Sequence, residues 1–477
     1  MSSELNPRRT CYFDVTDIIL FARGNSRVSG IQRVSIRLIE QVVRGSLATD
    51  SLHCVFFNPR DERWHEIPAE SVFDEPEFNS GRLLARLGSQ DSPRLQLKNA
   101  IKHHLRQYDH RKARRAVVKI KLLALSVLRP RRLYQIGLPR PYGLKPGEGL
   151  APRPLPSLQR DDILIELGAT WTSPASMTLC RQHVRAGGRV VQLIHDVIPA
   201  IRPELFPQGV TTRFNQFIEH LADGCSEYLC VSESTARDLR AVLLDRNQPG
   251  KPITVIPLAH EMEGFKRNTP PDQPDNAELV KLARQPFVLC VGTIEIRKNG
   301  TGLLQAWSAL RNLKNVDLPR LVFAGTRGWG LQAFDQMLET HPELSTCITF
   351  LPSPTDRDLA YLYARCAFTV YPSFYEGWGL PPGEAAWFGA FSIVSSTSAL
   401  PEVLGPLADY VNPDRPESIV DAVVRATSQP EELSRRKRAV ATARLRTWKD
   451  VGHQLGQYLS NLSAPAAPTP TEVQFDP

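Results

Sequence analysis

Residues 368–385 read FTVYPSFYEGWGLPPGEA and predict a strand, a loop and a helix in immediate succession. The apolar run Phe368–Tyr371 predicts a buried strand, and a helix is expected to open near Pro382. The loop between them carries Glu376 and leads to Glu384, eight positions further along the chain. Glycines let backbone amides approach a ligand, and carboxylates accept strong hydrogen bonds from hydroxyl groups. The stretch favours a site for a polyol, although a surface loop followed by an exposed helix fits the same letters.

The same alternation of apolar runs and helical patterns extends over the whole chain and favours parallel sheets with helix crossovers. Residues 266–276 are rich in proline, aspartate and asparagine and are interpreted as a linker. The predicted fold class is therefore α/β, with two Rossmann-like, doubly wound domains (1–265 and 277–447) that face a cleft. Ten buried strands are predicted, at residues 54–57, 163–167, 190–195, 228–231, 253–257, 287–291, 321–324, 348–351, 368–371 and 393–395.

The net charge of +8 is concentrated in one segment of the 477-residue chain. Residues 101–132 hold eleven Lys or Arg and one Asp, which makes the segment +10 and the remainder −2. Apolar residues recur at helical spacing over 111–128, which fits a basic helix on an anionic membrane or a core helix with a solvated face. The segment belongs to a region near 68–160 that is interpreted as loops or an insertion in the first domain. Nucleic-acid binding would also use this charge, but aromatic residues are sparse and no nucleic-acid module is visible, so no nucleic-acid partner is predicted.

The two ends of the chain are polar or of low complexity. The first nine residues lack the apolar stretch of a signal peptide, and no apolar run approaches the roughly 20 residues of a spanning helix. The eight scattered cysteines fit buried thiols in a reducing compartment, so a cytoplasmic location is expected, with peripheral contact at the inner face of the membrane left open. Residues 448–462 predict a final amphipathic helix, and the Pro- and Ala-rich tail 463–477 is predicted to be disordered.

A second motif directly follows the first strand of the second half. Residues 292–299 read GTIEIRKN, and a helical pattern comes next. Arg297 and Lys298 at a strand end are placed to hold a diphosphate, because arginine binds phosphate oxygens in two-pronged fashion and lysine adds a compact charge. The solvated start of a helix fits the same letters. The strand at 321–324 ends in Gly325, which permits close backbone approach but is common in turns between strands and helices.

Taken in order, these motifs resemble the family-four (group 1) retaining glycosyltransferases of GT-B fold. The resemblance is strong over residues 285–425, where SALPEV at 398–403 completes the series. In the first half it is fainter and rests on DVT at 14–16, SGIQR at 29–33, HDVIP at 195–199 and VSEST at 231–235.

The resemblance implies a role for each matching residue. Glu376 would lie by the donor sugar near the reacting carbon, and Glu384 would hold the ribose. Arg297 and Lys298 would neutralise the leaving diphosphate. His195 would line the acceptor side, although a lone histidine at a strand end is often a hydrogen-bonded structural residue. The further donor-binding positions implied are Gly30, Gly292, Gly325, Gly377, Trp378, Gly379, Leu380 and Glu402.

The activity implied is transfer of a hexose from a nucleoside-diphosphate sugar to a glycan or lipid-linked saccharide in cell-surface polysaccharide synthesis. The GTIEIRKN motif resembles mannosyltransferase-like members, so GDP-mannose is the expected donor. No cofactor and no metal are expected, because cationic side chains would replace the metal and Asp356-Arg357-Asp358 is interpreted as a helix cap. Same-face attack by the acceptor is expected, with a covalent intermediate at Glu376 as the alternative. The competing function is a catalytically silent sugar-nucleotide sensor of the same fold.

Overall fold

The computed structural model describes most of the chain. The described residues are 10–23, 25, 28, 30–45, 51–73, 78–88, 101, 116–122, 124, 149–248, 250–274, 276–313 and 318–463. Most of the basic segment 101–132 and all but the first residue of the tail 463–477 lie outside them, so the predictions for these two segments are largely outside the description.

The first domain is built on an eight-stranded sheet. Its strands are β1 Thr10–Asp14, β2 Ser51–Asn58, β3 Arg63–Ile67, β4 Arg153–Leu155, β5 Ile163–Glu166, β6 Arg189–Ile194, β7 Glu227–Cys230 and β8 Ile253–Val255. They lie in the order β4-β3-β2-β1-β5-β6-β7-β8. The six strands β2-β1-β5-β6-β7-β8 of this order are parallel to one another. The carboxyl ends of β1, β5 and β6 therefore share one edge of the sheet.

The second domain is built on a six-stranded parallel sheet. Its strands are β9 Phe287–Val291, β10 Arg320–Ala324, β11 Ile348–Leu351, β12 Phe368–Tyr371, β13 Ser392–Ser395 and β14 Ala408–Val411. They lie in the order β11-β10-β9-β12-β13-β14. Strands β9 and β12 are neighbours, which brings the loops that follow them together.

Helices connect the strands of both sheets. In the first domain they are Thr16–Ala22, Ile31–Arg44, Ser80–Arg86, Pro174–Arg185, Ile198–Ile201, Gln208–Gly224 and Glu233–Asp245. Later in the chain they are Ala277–Leu282, Gly300–Arg311, Gln332–Thr340, Asp356–Tyr363, Leu380–Trp387, Leu400–Leu404, Pro416–Ser428, Pro430–Thr442 and Trp448–Ser463. None of the helices in the described part of the chain has the length and apolar character needed to span a bilayer.

The predicted fold class is confirmed, and each of the ten predicted strands overlaps an observed one. The expectation of parallel pairing is wrong at one edge, where β3 pairs antiparallel with both β2 and β4. The region near 68–160, interpreted as loops or an insertion, contains regular structure in the helix Ser80–Arg86 and in β4, Arg153–Leu155. Both antiparallel strands, β3 and β4, carry polar residues exposed to solvent and so lack the continuous apolar run that marks a strand covered on both faces.

The final helix, Trp448–Ser463, packs along Ile31–Arg44 of the first domain. The two helices approach so closely that a Cβ on Gly452 would lie 2.3 Å from the Cβ of Gln41. Val451 beside it is fully buried. The chain thus returns from the second domain to the first and joins them through a hydrophobic contact.

Candidate functional site

Glu376 joins the two predicted cationic residues in one cluster. Its Oε2 accepts a hydrogen bond of 2.6 Å from Nη1 of Arg297, and its Oε1 accepts one of 2.6 Å from Nζ of Lys298. Arg297 also contacts the Glu295 carboxylate at 2.9 Å and donates to the carbonyl of Tyr375 at 2.8 Å. The side chain of Glu376 is only 9% exposed, so these charges interact with little solvent screening.

Glu376 and Arg297 keep their charges at neutral pH. Burial alone would raise the pKa of Glu376, but Arg297 and Lys298 outweigh it and lower the pKa to about 2. Burial opposes the charged form of Arg297 as well, yet Glu376 and Glu295 raise its pKa above the ordinary value. The carboxylate of Glu376 is therefore ionised, and each of its oxygens accepts a hydrogen bond from a basic side chain.

Backbone geometry holds the cationic turn in place. The turn Ile296–Lys298 ends at Asn299, whose left-handed φ of 55° asparagine tolerates better than most residues. The Asn299 side chain then accepts a hydrogen bond of 3.1 Å from the amide of Gly302 and caps the next helix. The amide of Phe374 donates to the carbonyl of Arg297 at 2.9 Å, which ties the loop after β12 to the loop after β9.

Two of the predicted glycines, Gly292 and Gly325, are in close backbone contact. A Cβ on Gly325 would lie 2.0 Å from the carbonyl oxygen of Gly292, which itself has a φ of 132° that favours glycine. The Cε of Lys298 lies 3.7 Å from the Cβ position of Gly292. A cavity opens here, lined by Gly292, Lys298, Thr293 and Ser373 among others. Gly292 and Lys298 thus line the same cavity.

The helix Leu380–Trp387 begins two residues earlier than predicted, at the predicted donor-binding loop. Gly379 precedes it with a φ of 108°, so a left-handed glycine starts the helix. Trp378 is buried, and its ring lies edge-on to His260 with centroids 6.3 Å apart. Within the described chain its indole Nε1 has no hydrogen-bond partner.

Glu384 contacts an arginine from the first domain. Nη1 of Arg33 donates to Oε1 of Glu384 at 2.8 Å, and Nη2 donates to Oδ1 of Asp356 at 2.9 Å. The Tyr363 hydroxyl donates to the other oxygen, Oε2, at 3.2 Å. Burial raises the pKa of Glu384, and Arg33 acts against this rise. Gly30, which precedes the helix of Arg33, has a φ of 52°, and a Cβ there would meet nothing within 4 Å.

The interpretation of Asp356-Arg357-Asp358 as a helix cap is confirmed. Oγ1 of Thr355 accepts from the amide of Asp358 at 3.0 Å, and Oδ2 of Asp358 accepts from the amide of Thr355 at 2.8 Å. Over the residues that the structure describes, no group of three or more His, Cys, Asp or Glu side chains is arranged to hold a metal ion.

The loop after Glu376 docks directly on the first domain. A Cβ on Gly377 would lie 2.0 Å from the carbonyl oxygen of His195. The carbonyl of Gly377 accepts hydrogen bonds from the hydroxyls of Ser232 at 2.8 Å and Thr235 at 3.2 Å. The HDVIP and VSEST motifs of the first domain therefore meet the loop of the second domain.

His195 is held as a neutral imidazole. Its Nε2 lies 2.8 Å from the carbonyl of Leu167 and donates to it. Burial lowers the pKa of His195 to about 4, and the contact with Leu167 only partly opposes this. Burial raises the pKa of the neighbouring Asp196, opposed by the positive charge of Arg297. Asp196 therefore interacts electrostatically with the cationic cluster, although only its neighbour His195 was predicted as a site residue.

Acidification below pH 6.5 is expected to destabilise the protein in part through His195. The pKa of His195 is about 4 in the folded protein against an ordinary 6.5. Between these values the unfolded chain binds the extra proton, so the free energy of unfolding rises with pH across that window. Urea denaturation from pH 4 to 6.5 should give a flatter dependence for His195→Gln. The exposed His453→Gln is the matched control, and an unchanged slope in the His195 variant would contradict the expectation.

Glu402 also lies against the first domain. Its two oxygens accept hydrogen bonds of 2.7 Å from the amides of Glu233 and Ser234, at the start of the helix Glu233–Asp245. A carboxylate is favoured there because these amides carry the positive end of the helix dipole. In this structure Glu402, predicted at the donor, therefore bridges the domains.

Comparison with known proteins places these features in context. Residues 272–446 match the family described as "Glycosyl transferases group 1". The serotype-specific mannosyltransferase WbdA of Escherichia coli is 30% identical over 58% of this chain and 34% of its own length. The O-antigen chain mannosyltransferase B of Escherichia coli is 30% identical over 54% of this chain and 64% of its own length. The chain thus spans only about a third of the length of the first curated relatives that it matches.

Solved structures resemble the whole chain in fold. Sucrose-phosphate synthase from Thermosynechococcus elongatus superposes with a TM-score of 0.56 and 16% identity over 95% of this chain and 99% of that one. A glycosyltransferase from Rickettsia africae gives a TM-score of 0.53 and 12% identity, over 96% and 99%. The two α/β domains, each built on a mainly parallel sheet, form a GT-B fold.

Proposed function

The second domain of this chain belongs to the group 1 glycosyl transferases, and from that premise we propose that the protein transfers a hexose from a nucleoside-diphosphate sugar. The proposed acceptor is a glycan or a lipid-linked saccharide in the synthesis of a cell-surface polysaccharide. The curated relatives named above are mannosyltransferases, one of them of an O-antigen chain. We therefore take GDP-mannose as the first donor to test.

The observation that carries this proposal is the buried cluster of Arg297, Lys298 and Glu376 beside a cavity lined by residues of the second domain. Breaking the bond between the sugar and the diphosphate leaves negative charge on the departing phosphate. Fixed cations aimed at that charge stabilise the transition state most when water is excluded. Arg297 and Lys298 are such cations, and their turn is held rigid by backbone contacts. They take the place of a metal ion in the proposed reaction.

The proposed chemistry retains the configuration of the donor. The anomeric carbon loses its bond to the diphosphate oxygen and gains a bond to the acceptor hydroxyl on the same face. The acceptor proton passes to the departing diphosphate, so no protein base is consumed. The alternative, a covalent intermediate on Glu376, is disfavoured because both of its oxygens already accept hydrogen bonds from cations. A carboxylate with a pKa of about 2 is also a weak nucleophile.

The test is donor cleavage by the purified full chain. Release of the nucleoside diphosphate is measured for GDP-mannose and for a panel of UDP-, GDP- and dTDP-sugars, with and without EDTA. Cleavage that persists in EDTA, and initial release of the free sugar as its α-anomer in the NMR spectrum, are the expected results. Binding of a sugar nucleotide without any turnover would instead favour the silent sensor.

We further propose that the basic segment contacts an anionic membrane surface. Val117 and Ile120, in the helical residues 116–122, are 65% and 68% exposed, whereas Leu122 in the same stretch is buried. Lys119 and Lys121 beside them are exposed too. Exposed apolar and cationic groups on one short helix suit the interface of an anionic leaflet.

Membrane contact predicts salt-sensitive binding to vesicles. The chain should sediment with phosphatidylglycerol vesicles at low ionic strength and be released as salt rises, because surface charges are screened. The double variant Val117→Ser, Ile120→Ser should sediment several-fold less. Equal sedimentation with neutral phosphatidylcholine vesicles would contradict the proposal.

A further inference from the structure

Arg33 connects two carboxylates of the second domain from a position on the first. It lies in the first turn of the helix Ile31–Arg44, and its contacts to Glu384 and Asp356 span 351 and 323 positions of sequence. The side chain of Glu384 is 8% exposed, whereas that of Asp356 is 57% exposed. The buried contact with Glu384 is therefore the stronger of the two, since solvent screens an exposed pair.

The carboxylate of Glu384 retains acceptor capacity in this arrangement. Its Oε1 accepts from Arg33, and its Oε2 accepts from the hydroxyl of Tyr363. An ionised carboxylate offers about four lone-pair positions, so about two remain for further donors. Hydroxyl groups of a ligand can thus bind Glu384 without displacing Arg33.

We propose that Arg33 is a positioning residue that holds Glu384 ionised and oriented to accept the ribose hydroxyls of the nucleotide. This inference rests on the proposed function, in which Glu384 contacts the ribose. It makes recognition of the ribose by the second domain depend on a side chain of the first domain.

The environment of Glu384 explains why such a partner is needed. Burial raises the pKa of this carboxyl, and the nearby Asp356 raises it further, while Arg33 lowers it. Loss of the guanidinium would raise the pKa of Glu384 further, and a protonated carboxyl offers a donor where the hydroxyls need an acceptor. An arginine suits the position because its two Nη atoms reach separate carboxylates at once.

A plain interdomain tie is the competing role for Arg33. Such a tie would strengthen domain closure and so improve the binding of every nucleotide equally. A positioning residue acts only through the ribose hydroxyls. Nucleotides with and without those hydroxyls therefore separate the two roles.

The experiment compares dissociation constants by calorimetry on the full chain. The probes are GDP and UDP with their 2′-deoxy and 3′-deoxy counterparts. The proteins are wild type, Arg33→Gln and the control Arg37→Gln. Arg37 lies one turn further along the same helix and pairs with Glu40 at 2.6 Å and with Glu263. The control thus removes an arginine and its ion pairs from the same helix without touching Glu384.

Wild type is expected to prefer at least one ribonucleotide over its deoxy counterpart by about tenfold or more, the worth of a hydrogen bond to a charged group. Arg33→Gln should reduce that preference below about threefold, chiefly because the ribonucleotide binds less tightly. Arg37→Gln should leave the preference at its wild-type value. If Arg33→Gln does not fold, Arg33→Lys is judged by the same criterion, because lysine cannot span both carboxylates.

Two outcomes overturn the inference and are distinguishable from each other. Equal weakening of ribo- and deoxyribonucleotides in Arg33→Gln would make Arg33 an interdomain tie and leave the proposed function intact. Absence of GDP and UDP binding in wild type would contradict the proposed function and this inference with it.

Discussion

Replacing Lys298 by alanine is expected to lower the rate of donor cleavage by about 10²–10³-fold, because a preorganised charge at the leaving group is lost. Its Nζ lies 2.6 Å from Glu376, and the turn that carries it ends at the capping residue Asn299. The measurement is the turnover number for release of GDP from GDP-mannose, with thermal unfolding followed in parallel.

Lys437→Ala is the matched control for Lys298→Ala. Its Nζ donates to the carbonyl of Cys366 at 3.0 Å, near the amino end of β12 and thus at the edge of the sheet away from the cluster. Turnover in this variant should stay within about twofold of wild type, as expected for a surface substitution away from the site. Equal losses in the two lysine variants would show that general destabilisation, and not charge at the leaving group, lowers the rate.

Substitution of Glu376 by glutamine is expected to lower turnover without weakening the binding of the product GDP. Turnover should fall, but GDP should bind at least as tightly as to wild type, because Arg297 and Lys298 lose their counter-charge. Lys298→Ala should instead weaken the binding of GDP. The assigned roles would be wrong if Lys298→Ala and Glu376→Ala both kept wild-type turnover.

Gly377→Ala is expected to lower turnover by about 10²-fold while leaving the fold of each domain intact. A Cβ at this position would lie 2.0 Å from the carbonyl oxygen of His195, a backbone atom that cannot rotate away. The clash crosses the domain contact, so the domains can relieve it by separating slightly. A displacement of about 1 Å between groups that must react together costs about this factor.

Gly325→Ala provides the comparison that isolates the domain contact. Its Cβ would also lie 2.0 Å from a carbonyl oxygen, that of Gly292, but both residues belong to the second domain. Domain separation cannot relieve this clash, so the cost should appear as a loss of about 1–3 kcal/mol in the free energy of unfolding. Urea denaturation and turnover are measured on both variants. Wild-type turnover in Gly377→Ala would show that the contact with His195 does not belong to the active form.

Most of the fold could be predicted because strands of a parallel sheet are covered on both faces. Such strands are continuous apolar runs, and the runs at Phe287–Val291, Ile348–Leu351 and Phe368–Tyr371 have the predicted bounds. The antiparallel strand Arg63–Ile67 was missed because three of its five residues are polar, so it is not a continuous apolar run.

Part of the site could be predicted for a related reason. Arg297 and Lys298 follow β9, and Glu376 follows β12; carboxyl ends of parallel strands share one edge of a sheet. That rule predicts that the loops lie near each other, but it does not predict which side chains are in contact. The pairing of both cations with a single carboxylate depends on strand order, which places β9 beside β12.

The contacts between the domains could not be predicted from the local sequence pattern. Arg33 was quoted within SGIQR and given no role, because its partner Glu384 lies 351 positions away. Glu402 was predicted at the donor, yet its oxygens meet the amides of Glu233 and Ser234. Both arrangements require the relative placement of two separately folded sheets.

The amino-acid sequence by itself determined the two α/β domains, the strands that carry the motifs, and the residue types available for binding a diphosphate and a polyol. Periodicity and turn residues encode these features within a few positions of each other. Only the tertiary structure decided that Glu376 stands between two cations, that Gly377 touches His195, and that an arginine of one domain holds a glutamate of the other. These contacts arise when helices and strands far apart in sequence pack together, and packing depends on the whole molecule.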